Sequence, residues 1–206
     1  MSDTKRPRLI KAGTPARKQT PAQSAADAPQ AQVARFDPAA SPCAVLLDAL
    51  AEPTPAQHGT WAMVIQTHGQ TLTTDQAYLG SKVSYQQALW TGALTTLHRI
   101  EADSGGLPVD FCTDDQALVR TLQNHPAQAG APEGLVYQAR ELLARLPNVT
   151  LRWINGTDNR PADDLSVATW AASLGLSPAE ARTEIDALRE QRRADKRKKR
   201  QKSAAK

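Results

Sequence analysis

The chain has 206 residues and a formal net charge of +4, a length that suits one domain of ordinary size with tails. Its two cysteines, Cys43 and Cys112, are too few for a disulfide framework, and no apolar run approaches the roughly 18 residues needed to cross a bilayer. Because no secretory signal or membrane span is visible, we expect a cytoplasmic protein with reduced thiols and no membrane partner.

Charge is distributed unevenly along the chain. Residues 1–40 carry 7 basic and 3 acidic side chains, residues 41–174 carry 7 and 13, and residues 175–206 carry 11 and 5. An acidic centre between two basic arms is typical of a protein that binds a polyanion and needs carboxylates in its core. The alternative is that the basic arms only keep the protein in solution.

The first 40 residues are rich in Ala, Pro, Gln and basic side chains and contain few large apolar ones. Such a segment buries too little surface to offset the entropy of ordering, so we predict a disordered basic arm over 1–40. Its start, KRPRLIK, offers cations to phosphates or is only a solvated tail.

Three strands are predicted next. The apolar run CAVLLDAL at 43–50, bounded by prolines, is typical of a strand buried on both faces. Asp48 interrupts this run, and an unpaired carboxylate in a central strand is costly, so we expect Asp48 at the open end of its strand with a partner. Residues 60–67 and 70–78, separated by His68-Gly69, predict an antiparallel hairpin.

Two further strands and five helices complete the predicted order, with strands at Val109–Thr113 and 149–154 and helices at 85–102, 115–123, 135–146, 162–174 and about 178–194. The first of these helices carries Leu89, Ala93, Leu97 and Ile100 on one face. The last becomes increasingly polar and runs into a basic tail. Strand–helix–strand units require right-handed crossovers, so part of the sheet should be parallel.

The stretch WINGTDNRPADDL, residues 153–165, is the most informative. Asn155-Gly156 is typical of a turn after a strand, Asp158 and Asn159 are helix-capping residue types, and Pro161 suits a first helical turn. The stretch therefore predicts a strand end, a polar turn and a helix that presents Asp163 and Asp164.

Four patterns, taken in chain order, resemble the ribonuclease H family. LLDAL resembles its first-strand aspartate segment, HGTWAMVI its Gly-rich entry to the second strand, FCTDDQAL its strand-ending T-D-S-Q with Asp115 in place of Ser, and WINGTDNRPADDL its last strand and helix. The resemblance covers 41–174. It implies an α/β, ribonuclease H-like fold with a five-stranded mixed sheet in the order 3-2-1-4-5 flanked by helices. The residues after this domain, 175–206, predict a basic helix and tail.

The resemblance also implies a catalytic metal site in which Asp48 and Asp114 hold one divalent ion and Asp163 a second. Two carboxylates about 4 Å apart repel by about 4 kcal/mol at an effective dielectric near 20, and Mg²⁺ or Mn²⁺ would remove that cost. The alternative for Asp163 or Asp164 is an exposed acid favoured by the helix dipole. For Asp114 or Asp115 it is the N-cap of the following helix.

Two departures from the family pattern bear on activity. Leu89 takes the place of the family's first-helix glutamate, and residues 85–100 contain no acidic side chain. The family's loop histidine has no counterpart, because Thr157 or Asp158 stands in that region. We therefore expect weakened Mg²⁺ binding and either a slow or Mn²⁺-preferring nuclease or a nuclease fold retained for binding.

The implied substrate is RNA in RNA/DNA hybrids, recognised by backbone and shape. Trp90 and Trp153 are candidates for stacking on it or for core packing. A group of seven side chains, here called the basic cluster, is predicted to bind nucleic acid through phosphates: Arg192, Arg193, Lys196, Arg197, Lys198, Lys199 and Arg200.

Three functions remain open from the sequence. The first is a metal-dependent endonuclease acting on hybrids, and the second is a catalytically weak or inactive nucleic-acid-binding module. The third is a protein-interaction scaffold whose basic tail docks on an acidic partner. The sequence leaves the oligomeric state open.

Overall fold

The structure is a computed structural model, and it describes residues 36–51 and 57–204. Its elements, in chain order, are a short 3₁₀ helix at Pro38–Ala40, then β1 (Ala44–Ala51), β2 (Gly59–Thr67), β3 (Gln70–Gly80), α1 (Tyr85–Asp103), β4 (Val109–Thr113), α2 (Gln116–Leu122), α3 (Glu133–Ala144), β5 (Val149–Trp153), α4 (Arg160–Leu174) and α5 (Pro178–Ala204). This order of strands and helices is the one predicted.

The five strands form one mixed sheet in the order β3-β2-β1-β4-β5, which confirms the predicted fold. β1 pairs antiparallel with β2 and parallel with β4, and β4 pairs parallel with β5. The parallel pairs are joined through helices, as right-handed crossover units require. β1 is therefore the central strand, with the hairpin on one side and the parallel strands on the other.

Both faces of β1 are buried, which explains its continuous apolar run. Val45, Leu47 and Ala49 face a large core shared with α1 and α3. Ala44 and Leu46 face a smaller core shared with Ile154 and the start of α4. The period of two in a strand thus divides one apolar run between two helical layers.

Helix α1 packs closely on the hairpin because it has a glycine at the point of contact. A Cβ on Gly92 would lie 2.8 Å from the Cβ of Trp61 in β2, a distance that forces atoms apart. Gly92 costs about 1 kcal/mol of helix propensity relative to Ala. In return it lets Trp61 pack directly against the helix backbone.

The last two helices form a third apolar cluster on the α4 side of the sheet. Trp170 and Ala171 of α4 pack with Ala181 and Ile185 of α5 and with Leu50 of β1. The first turns of α5 are therefore part of the folded unit, and this packing fixes where its polar side chains lie.

Several element limits differ from the sequence predictions. Helix α5 continues to Ala204 rather than ending near 194, and α3 begins at Glu133 rather than 135. Most of the predicted basic arm, residues 1–35, lies outside the described residues. From its last part, Pro38 is buried and the Arg152 guanidinium lies 4.8 Å from the ring centre of Phe36. Within the described part of the chain, no helix is both long and apolar enough to span a membrane.

Candidate active site

Asp48 and Asp114 follow the last paired residues of two neighbouring parallel strands, Asp48 within β1 and Asp114 just after β4. The register of β1 and β4 pairs Ala44 with Asp110 and ends with Leu47 opposite Thr113, so each aspartate is the next residue after the last pair. Neighbouring strands lie about 4.8 Å apart. The carboxyl ends of parallel strands form the edge at which open α/β sheets bind ligands. Asp114 lies just after the end of β4 as predicted, whereas Asp48 lies inside β1, opposite Ala62 of β2, and not at the end of its strand.

Asp48 has a partner inside the protein, as its position in a central strand required. The buried hydroxyl of Ser166, in α4, donates a hydrogen bond to Asp48 Oδ2. Ser166 is held in turn by Thr60 of β2, whose hydroxyl donates to the Ser166 carbonyl at 3.3 Å. Helix α4 therefore orients the Asp48 carboxylate.

Asp114 is fixed by Asn159, the residue just before α4. The fully buried Asn159 amide nitrogen donates to the Leu47 carbonyl at 2.9 Å and to Asp114 Oδ1 at 3.1 Å. Asn159 occupies the N-cap position but makes no side-chain capping bond. Its amide instead ties the end of β1 to the acid that follows β4.

The turn after β5 leaves little room beside Asp114. A Cβ on Gly156 would lie 3.2 Å from Asp114 Oδ2, so a larger residue there would press on the carboxylate. The indole nitrogen of Trp153 donates to the Asp114 carbonyl at 3.1 Å. Side chain and backbone of Asp114 are thus both held by the β5–α4 segment.

The pKa of Asp114 is raised above its ordinary value. Desolvation by the surrounding protein is the main cause, the hydrogen bond from Asn159 opposes it, and the charges of Asp163 and Asp115 raise the pKa further. The folded protein therefore holds Asp114 as an anion at a cost that a nearby cation would reduce.

Asp115, the residue after Asp114, has a capping role. Its Oδ1 accepts from the Leu118 amide at 2.7 Å, which makes it the N-cap of α2, and its Oδ2 accepts from the Tyr85 hydroxyl at 3.1 Å. The pKa of Tyr85 is strongly raised, first by desolvation and then by the charges of Asp115 and Asp48. Tyr85, the first residue of α1, therefore lies within electrostatic range of the same carboxylates.

Asp163 and Asp164 are occupied by an arginine from α5. Arg182 Nη1 donates to Asp163 Oδ2 at 2.5 Å, and Nη2 donates to Asp164 Oδ1. Arg160 adds a longer pair with Asp164, at 3.4 Å. Burial opposes the charge on Arg182, but the hydrogen bond and charge of Asp163 raise its pKa above the ordinary value.

Whether these residues fit a divalent cation depends on which acids are considered. Asp48 and Asp114 supply the hard carboxylate oxygens that Mg²⁺ and Mn²⁺ prefer, and Asp114 is a desolvated anion. Across residues 36–51 and 57–204, however, no group of three or more His, Cys, Asp or Glu side chains is placed to hold a metal. The donor chemistry fits a cation at Asp48 and Asp114, while Asp163 is paired with Arg182.

The remaining predicted residues fall into three groups. Leu89 is 1% exposed in the core of α1, so the place of the family's glutamate is apolar. Trp90 is also core and is not available for stacking, whereas Trp153 is 49% exposed. The side chains of the basic cluster lie outside those described, although their backbone is part of α5.

Four residues of the site have no role that the sequence assigns: Ser166, Asn159, Tyr85 and Arg182. Asn159 carries a partial signal, because it is a helix-capping residue type. The other three are common surface or helix residues in local sequence, and only the tertiary contacts reveal them.

Comparison with known proteins identifies the family. The family model described as reverse transcriptase-like matches residues 52–169, a range that contains Asp114 and Asp163 and begins just after β1. No curated protein matches the chain.

Solved structures share the fold. The N-terminal ribonuclease H domain of a Mycobacterium tuberculosis protein superposes with a TM-score of 0.57 at 17% identity, covering 65% of this chain and 96% of that one. Ribonuclease H1 of Halobacterium salinarum gives 0.54 at 17% identity, covering 62% and 96%. LC11 ribonuclease H1, isolated from compost by a metagenomic approach and solved with an RNA/DNA hybrid, gives 0.52 at 19% identity, covering 60% and 92%. The chain belongs to the reverse transcriptase-like family and has the ribonuclease H fold.

Proposed function

We propose that this chain is a metal-dependent endonuclease that hydrolyses phosphodiester bonds of RNA in RNA/DNA hybrids. The observation that carries the proposal is the placement of Asp48 and Asp114 directly after the paired residues Leu47 and Thr113 of two parallel strands. Family membership supports the reaction class, and the LC11 enzyme of the same fold was solved with a hybrid.

A divalent cation, when bound, would activate water and stabilise the leaving oxygen of the phosphodiester. The chain's own contribution is to hold the carboxylates in place. Asp48 is oriented by Ser166 and Asp114 by Asn159, so neither carboxylate has to be ordered when a substrate arrives. Such outer hydrogen bonds commonly determine metal affinity and rate.

Two aromatic rings border the proposed site. Trp153 is 49% exposed with its indole nitrogen on the Asp114 carbonyl, and Tyr85 is 39% exposed with its hydroxyl on Asp115. Because the polar end of each ring is held by a hydrogen bond, the rest of each ring is available for ribose or base contacts.

A second candidate is a nucleic-acid-binding module with weak cleavage or none. Two observations favour it: Leu89 offers no ligand from the core of α1, and Asp163 is paired with Arg182. Such a module would keep the shape recognition of the fold and take most of its affinity from the basic cluster.

Cleavage of an end-labelled RNA/DNA hybrid, with Mg²⁺ and separately with Mn²⁺, distinguishes the two. Asp114→Asn tests the site, and Asp110→Asn is a matched control at the opposite end of β4, where Asp110 pairs with Arg152 at 3.0 Å. The nuclease requires cleavage by wild type and by the Asp110 variant, and loss of cleavage in the Asp114 variant.

Absence of cleavage with either metal, together with salt-sensitive hybrid binding by all three proteins, would establish the binding module instead. Absence of both cleavage and binding would exclude the hybrid as the partner and leave the scaffold function.

A further inference from the structure

Arg182 places a permanent positive charge on the acid that the family resemblance assigns to a second metal ion. Its two terminal nitrogens bind one carboxylate each, Asp163 and Asp164. The side chains of Arg182 and Asp163 are 31% and 25% exposed, so the pair is partly shielded from water. A planar guanidinium that divides its donors between two acids is a strong, oriented contact.

The position of Arg182 is set by helix packing. Two neighbours of Arg182 on α5 are buried: Ala181 is 0% exposed and Ile185 is 5% exposed. Both pack against α4, in the cluster that contains Val167 and Trp170. The start of α5 is fixed as well, because Ser177 and Glu180 exchange backbone and side-chain hydrogen bonds in a capping box. The folded domain therefore brings the guanidinium to Asp163.

A guanidinium and a divalent ion would compete for the same oxygen atoms. Asp163 Oδ2 accepts from Arg182 at 2.5 Å, and a metal bound to that atom would meet the positive charge at close range. Asp48 and Asp114 instead accept hydrogen bonds from the neutral side chains of Ser166 and Asn159.

We propose that the positive charge of Arg182 takes the place of a metal ion at Asp163. Arg182 thereby keeps a divalent ion from binding to Asp163, so that metal binding is confined to Asp48 and Asp114. The inference rests on the proposed metal-dependent function, because it concerns the same group of acids. It makes the number of ions bound a property of α5, a helix that follows the residues matched by the family.

The test is a Mn²⁺ titration of the full chain, in which the electron paramagnetic resonance signal reports free Mn²⁺. Arg182→Gln should bind one more ion per chain than wild type, or bind Mn²⁺ about tenfold more tightly. Arg145→Gln is the matched control, because it also removes one arginine and one acid pair, with Glu101 at 3.1 Å on a different surface. It should titrate like wild type.

Arg182→Lys provides a second variant, since it keeps the charge but loses the two terminal nitrogens of the guanidinium. Its Mn²⁺ binding should lie between that of wild type and that of Arg182→Gln. Circular dichroism confirms that each variant is folded, and Mg²⁺ should raise the melting temperature of Arg182→Gln more than that of wild type.

Equal ion number and affinity in wild type and both Arg182 variants would overturn the inference, and so would absence of binding in all of them. Binding only in Arg182→Gln would support exclusion of an ion by Arg182, but it would contradict metal binding at Asp48 and Asp114 and metal-dependent cleavage by wild type. Cleavage by wild type, together with ion binding that is the same in wild type and the Arg182 variants, would support the proposed nuclease and contradict the role of Arg182.

Discussion

The Ser166 hydroxyl donates a hydrogen bond to the Asp48 carboxylate across a separation of 118 residues. Ser166 is fully buried, and its oxygen also lies 3.0 Å from the Asp163 carbonyl one turn earlier. A single hydroxyl proton serves one acceptor at a time, and the charged carboxylate is the stronger acceptor. Ser166 is therefore a positioning residue for Asp48.

Replacing Ser166 with Ala should reduce both stability and cleavage. Loss of a buried hydrogen bond to a carboxylate costs about 1.5–3 kcal/mol, and loss of an outer hydrogen bond to a metal-binding acid commonly costs about 10–100-fold in affinity or rate. Urea unfolding and the metal dependence of hybrid cleavage measure the two effects. Ser173→Ala is the matched control, because Ser173 is an exposed serine of α4 that also donates to a backbone carbonyl, at 2.7 Å. A cleavage rate equal in the two variants would contradict the positioning role.

Asn159 should be required in its amide form. Ala at this position leaves the Leu47 carbonyl and Asp114 without their shared donor, at a cost of about 1–3 kcal/mol. Asn159→Asp should be worse at neutral pH, because it places a carboxylate against Asp114, and it should recover on acidification. Denaturant unfolding at several pH values distinguishes the variants.

Asn148 offers a control for this experiment. Its side chain also donates to a distant carbonyl, that of Leu107 at 2.7 Å, but away from the carboxylates. Asn148→Ala should lose stability without a change in metal binding. If Asn159→Ala also lost stability without a change in metal binding, Asn159 would have a structural role only.

Asp114→Asn should make the protein more stable at neutral pH while removing cleavage. The pKa of Asp114 is raised in the folded state, chiefly by desolvation, so the folded protein binds this proton more tightly than the unfolded chain does. The Asp114 carboxyl therefore contributes most to stability below its pKa in the unfolded chain. That contribution is lost as the pH rises through its higher pKa in the folded protein. We therefore expect Asp114→Asn to melt at a higher temperature than wild type at pH 7.

Thermal unfolding of both proteins from pH 3 to pH 8 measures this effect. The gain should vanish at the acidic end, where Asp114 is protonated in both states. Glu133→Gln, an exposed acid in the first turn of α3, should give no gain. A neutral-pH melting temperature lower in Asp114→Asn than in wild type would contradict the desolvation argument.

Much of the fold could be predicted because its signals are local. The limits of β4, Val109–Thr113, were predicted as observed, since Pro108 and two aspartates flank a short apolar run. The end of α5 could not be predicted in the same way. Residues beyond 194 have strong helix propensity but no apolar periodicity to mark a helix. The strand order 3-2-1-4-5 followed from the family resemblance, and the sheet confirms it.

The site was only partly predictable for a related reason. Asp48 and Asp114 could be brought together because strand pairing and topology determine where they lie. The partners of Arg182 and Ser166 depend on how α4 and α5 rotate against the sheet, which no spacing in the sequence specifies. Leu89 differs from these residues, because the sequence alone shows that it offers no ligand, and its burial in α1 agrees.

Removal of residues 190–206 should weaken hybrid binding and flatten its salt dependence. The deletion takes away the basic cluster but keeps Ala181, Arg182 and Ile185, which attach α5 to α4. For every phosphate that the shortened chain no longer neutralises, the slope of log affinity against log salt should fall in magnitude by about 0.7–0.9. Fluorescence anisotropy with a labelled hybrid in EDTA measures binding without cleavage.

A full-length variant with all seven residues of the basic cluster replaced by Gln separates charge from chain length, because Gln also favours helix. If charge is the cause, both variants should have a smaller slope than wild type, and the deletion should have a slope no larger than the Gln variant because it also removes Lys202 and Lys206. Two slopes that both equal that of wild type would show that nucleic acid is bound by the domain itself, through surfaces such as the Trp153 and Tyr85 rings beside Asp114.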